Sequence, residues 1–94
     1  MTHPAHSTVT AAEMENLLRA AFEPETLLVS DDSHEHAGHA GAGDGLGGTH
    51  FSVHIRARSF AGLTHVQRHR LVYDALRSLI DRGVHALAIK AEPV

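Results

Sequence analysis

A chain of 94 residues, 43% hydrophobic and 20% charged, has the size and balance of one globular domain with a single modest core. A formal charge of −3 lacks the basic excess of a dedicated nucleic-acid binder, and zero cysteines exclude disulfides and any self-contained thiolate metal site. No apolar run approaches the ~18 residues needed to span a bilayer, and the polar start carries no secretory signal, so a cytoplasmic, non-membrane protein is expected.

Ten histidines are the unusual feature. Ten protons added to −3 give +7, so the sign of the net charge reverses on the acid side of neutrality.

Residues 1–9 are short and polar and read as a disordered tail holding His3 and His6, followed by one domain over 10–94. Thr10 and Glu13 have the spacing of a capping box. Met14, Leu17, Leu18, Ala21 and Phe22 then recur at helical intervals, and Pro24 ends the helix. Leu27 to Ser30 reads as a short strand.

From Ser33 to Gly48 the chain holds six glycines, three alanines and three histidines, His34, His36 and His39, with almost nothing to pack. This is expected to be a flexible loop over 33–48, either functional or simply solvated.

Thr49 to Arg58 alternates as a half-buried strand. Phe51, Val53 and Ile55 point inward, while His50, Ser52, His54 and Arg56 point to solvent. Phe60-Ala-Gly62 makes a turn and Thr64 caps a second helix, whose buried stripe is expected to be Val66, Val72, Tyr73, Leu76, Leu79 and Ile80. His69 falls near the middle of that stripe and reads as a core histidine. Arg70 is spaced to pair with Asp74.

Gly83 stops this helix, and His85 to Ala91 forms a last strand with His85 in phase with Leu87 and Ile89. The order α-β-β-α-β predicts an α+β, two-layer fold. Its three-stranded mixed sheet has the first two strands antiparallel, the last two parallel across a helical crossover, and two helices on one face.

The motifs Asp31-Asp-Ser-His-Glu-His-Ala-Gly-His39, Thr49-His-Phe51, Phe60-Ala-Gly62, Arg68-His-Arg-Leu-Val-Tyr73 and Val84-His-Ala-Leu87 follow the order seen in BolA-like proteins, which the chain resembles from about Met14 to Pro93. The resemblance implies a fold similar to the type II KH domain. It also implies a monothiol glutaredoxin of the CGFS type as partner, with a shared 2Fe–2S cluster, glutathione on the partner's side, and a role in iron sensing or iron–sulfur traffic.

The family's loop ligand is matched to His36, with His34 and His39 as flanking alternatives, and its C-terminal ligand to His85. A cluster needs four ligands and imidazole can replace thiolate on one iron, so a chain without cysteine suits a shared cluster rather than a private one.

Some bacterial relatives are described as DNA-binding transcription regulators. Arg68 and Arg70 are the candidate phosphate contacts, within the basic set Arg56, Arg58, Arg68, Arg70 and Arg77. Asp74 and Asp81 interleave with that set, and the Gly-x-x-Gly loop of KH domains is missing, with only Gly62 near the corresponding turn. No catalytic triad, P-loop or dinucleotide fingerprint is present, so a non-enzymatic role is expected.

Overall fold

The computed structural model describes residues 8–33 and 49–94. Helix α1 spans Ala11–Phe22, strand β1 Thr26–Asp31, strand β2 His50–Arg56, helix α2 His65–Ala75, helix α3 Arg77–Asp81 and strand β3 Ala86–Glu92. The sheet order is β1-β2-β3, with β1 antiparallel and β3 parallel to β2. The expected α+β, two-layer architecture is found.

Local chemistry sets the helix starts. Thr10 accepts a hydrogen bond from the Glu13 amide at 3.1 Å, and Thr64 Oγ1 accepts one from the Gln67 amide while Gln67 Oε1 accepts one from the Thr64 amide. Glu23, in the left-handed region at φ 46°, closes α1 by donating its amide to the Arg19 carbonyl.

Phe51, Val53 and Ile55 of β2 point inward and pack with Met14 and Leu18 of α1, Phe60, and Val72 and Leu76 from the second helical region. The Phe22 and Phe60 rings meet at 5.1 Å, within the range for favourable tilted aromatic pairs. Among the described residues no helix covers the other face of the sheet, which carries Leu28, Ser30, Ser52, His54 and Lys90 in register.

Several features differ from the sequence-based expectation. Val9, assigned to the tail, is buried in the core, and the Arg82 guanidinium reaches the Thr8 carbonyl, so the domain begins before Thr10. Ser33, the first residue of the expected loop, is fully buried; residues 34–48, with His34, His36 and His39, lie outside the described residues.

The second helix is broken at Leu76, whose φ of −101° and ψ of 5° divide α2 from α3. Val66 and Tyr73 are also 55% and 36% exposed rather than buried. Val72, Leu76 and Leu79 form the inward row, and Tyr73, one residue past Val72, is turned about 100° away from it. His69 is half-buried on the shoulder of that row, its ring 6.5 Å from that of Tyr73. Asp74 pairs with Arg77 at 3.1 Å instead of with Arg70.

Candidate functional site

Parallel pairing of β2 and β3 puts His50 beside Ala86, which brings the residue before β3, His85, against the start of β2. The Thr49 carbonyl accepts the amides of His85 at 2.7 Å and Ala86 at 3.1 Å. Thr49 is in turn fixed to the end of β1, because Ser33 Oγ accepts from the Thr49 amide at 3.0 Å, the Thr49 hydroxyl at 3.2 Å and the His50 amide at 3.1 Å. One end of the sheet therefore joins three segments: the chain entering residues 34–48, the chain leaving them, and the backbone of His85.

The His85 side chain is exposed. It precedes β3 and shares the side of Leu87, with which it is in phase, but beyond the strand's end nothing among the described residues buries it. The ring opens onto a groove of about 140 Å³ between α2 and β3, lined also by His69, Tyr73, Ile80, Val84 and Leu87.

The His50 ring lies 6.2 Å from that of His85, with planes 21° apart, and Thr49 Oγ1 lies 2.9 Å from His50 Nδ1. Sequence reading treated His50 as an outward strand position. The signal that could have found it is the parallel register, which aligns residues at the starts of β2 and β3.

The nearby carboxylates serve the chain itself. Asp31 Oδ1 accepts the Ser33 amide at 2.9 Å, while Asp32 accepts the hydroxyls of Ser30, at 2.8 Å, and Ser52. Among the described residues no three His, Asp or Glu side chains gather closely enough to hold a metal ion alone.

The candidate phosphate contacts separate. Arg68 is half-buried and donates Nε–H to the Ala91 carbonyl at 2.7 Å and an Nη1–H to the Leu63 carbonyl at 2.8 Å, tying the start of α2 to the edge of β3. Arg70 is exposed.

At the opposite end of the sheet from His85, His54 Nε2 meets Glu92 Oε1 at 2.7 Å. This contact, with smaller help from Lys90 and Arg56, holds the Glu92 carboxyl below its ordinary value. None of the helices among the described residues is long and apolar enough to cross a membrane.

A family model described as BolA-like protein matches residues 18–93. The "Uncharacterized protein in cobS 5'region" of Sinorhizobium sp is 44% identical over 77 residues, covering 82% of this chain and 83% of that protein. "Protein BOLA1, chloroplastic" of Arabidopsis thaliana is 46% identical over 80 residues, which cover 84% of this chain but 50% of that protein. The "DNA-binding transcriptional regulator BolA" of Escherichia coli is 38% identical over 76 residues, 81% of this chain and 68% of that one.

Among solved structures, BolA1 from Arabidopsis thaliana superposes with a TM-score of 0.78 at 41% identity, covering 93% of this chain and 94% of its own. The BolA domain of SufE1 from the same plant gives 0.77 at 37% identity, covering 88% and 90%.

Proposed function

Because the chain belongs to the BolA-like protein family, we propose that it is a non-enzymatic adaptor: it docks a CGFS-type monothiol glutaredoxin and lends imidazole nitrogen to a 2Fe–2S cluster shared between the two, in iron sensing or iron–sulfur traffic. The observation that carries this reading is the exposed imidazole of His85, at the sheet end where Ser33 and Thr49, the residues on either side of 34–48, are tied together. His36 follows Ser33 by three residues in the sequence.

The donor set fits such a group. The chain has nitrogen ligands and no thiol, and a described His85 without two further metal-binding neighbours suits a site completed by another molecule's sulfur. His85 and His36 would hold the cluster from this side, with glutathione and the glutaredoxin cysteine on the other. When bound, the cluster supplies one-electron chemistry at a potential that depends on how many ligands are imidazole rather than thiolate.

The chain's own contribution is to hold the His85 backbone through Thr49, to keep its ring at the surface, and to tie Ser33 and Thr49 together at the same edge. A cytoplasmic setting is part of this proposal.

The test is to mix the purified protein with cluster-loaded glutaredoxin and record visible circular dichroism. A spectrum distinct from that of the glutaredoxin alone is expected, with the new bands and the heterocomplex lost in His85→Ala. An unchanged spectrum on mixing, or a heterocomplex indifferent to His85→Ala, overturns the reading.

The name of the Escherichia coli relative favours a second reading, DNA binding. With two donors of Arg68 committed to backbone carbonyls, Arg70 is the more available contact on α2. Promoter affinity would then fall steeply with salt and drop in Arg70→Ala. Equal affinity for random and promoter DNA at physiological salt removes this reading.

A further inference from the structure

We infer that His50 is a positioning residue for the His85 imidazole, which deepens the adaptor reading above and rests on it. Thr49 is the hub. Its carbonyl holds the His85 amide at 2.7 Å, and its hydroxyl lies 2.9 Å from His50 Nδ1 and 3.2 Å from Ser33 Oγ. One residue thus fixes both the backbone of His85 and the ring of His50.

The His50 ring, half-buried at the start of β2, presents its plane beside that of His85 at 6.2 Å between centroids and 21° between planes. This lies within the range of offset aromatic stacking. An exposed histidine otherwise distributes among several staggered rotamers, and a ring bound to the strand on one side removes some of them. The nitrogen of His85 is thereby aimed before any partner arrives, so less side-chain freedom is lost on docking.

His54 cannot take this part. It is four residues further along the same face of β2, paired with Glu92 at 2.7 Å, and β3 runs parallel there, carrying Lys90 opposite it. Aromatic support for His85 therefore comes from His50, through a register that two parallel strand starts create.

The experiment compares the wild-type protein, His50→Ala, His50→Phe and His85→Ala in complex with cluster-loaded monothiol glutaredoxin. It reads the titration midpoint by visible circular dichroism and the g-values of the reduced cluster by electron paramagnetic resonance. The partner-free proteins are read through the His85 ring resonances in 1H–15N spectra.

His50→Ala is expected to weaken the heterocomplex on the order of 10-fold, the lower end of what removing an outer support costs a metal ligand, and to broaden the g-values. It should also shift the His85 ring resonances in the free protein. His50→Phe, which keeps the stacked ring and has no ligating nitrogen, is expected to restore all three readouts.

A His50→Ala protein indistinguishable from wild type overturns the inference. So does failure of both His50 variants alike, since a ring nitrogen rather than a ring face would then be required. A His85→Ala protein that still gives the wild-type heterocomplex instead overturns the adaptor reading itself, so the two failures are told apart.

Discussion

Replacing Arg68 by alanine tests whether that guanidinium serves the fold. The side chain donates two charge-assisted hydrogen bonds, to Ala91 of β3 and to Leu63 ahead of α2, at 2.7 and 2.8 Å. Such bonds contribute about 1.5–3 kcal/mol each when well buried. Arg68 is only half-buried, so water compensates part of the loss, and about 1 kcal/mol per bond, or about 2 kcal/mol in all, is the expected cost.

For a domain of this size that lowers Tm by roughly 8–16 °C. Arg68→Lys should recover about half, because one ammonium cannot reproduce a fork that spans two carbonyls. Arg70→Ala, at an exposed position, should stay within about 0.5 kcal/mol of wild type. Urea denaturation with a constant m-value is the assay. Stability of Arg68→Ala equal to that of Arg70→Ala would refute the structural role and return Arg68 to the set of contacts available to a phosphate.

Phe60→Ala removes a fully buried ring that meets Phe22 at 5.1 Å, and should cost about 3–5 kcal/mol in denaturant unfolding; a loss under about 1 kcal/mol would mean the core does not close around it. Glu13, bonded to Arg82, has its carboxyl held below the ordinary value by that contact. The unfolded chain binds the proton first, so this contribution is complete above the ordinary glutamate pKa and disappears as pH falls through the lower folded value. Thermal unfolding followed from neutral to acid pH should therefore show a smaller decline in Glu13→Gln than in wild type, and an identical decline would sink the assignment.

Much of the fold is local in origin and so legible in the sequence. The Thr10 and Thr64 caps, the alternation through Phe51, Val53 and Ile55, and the order of elements each depend on neighbours a few residues apart. The exceptions arose where a third element intervened. Val9 looks like tail until the core receives it, and Val66 and Tyr73 look buried until the inward row is set by Val72 of α2 and Leu76 just beyond it.

The candidate site divides in the same way. The histidine-rich composition, the missing cysteines and the motifs around His36 and His85 could be read from the chain alone, because they are matters of residue type and order. Which surface His85 faces, and that His50 lies beside it, could not. Residues 35 positions apart meet only because β2 and β3 pair in parallel with His50 opposite Ala86, a register fixed by long-range strand pairing and burial. Arg68 makes the same point: its type reads as a surface charge, and only the approach of α2 to the edge of β3 turns it toward backbone carbonyls.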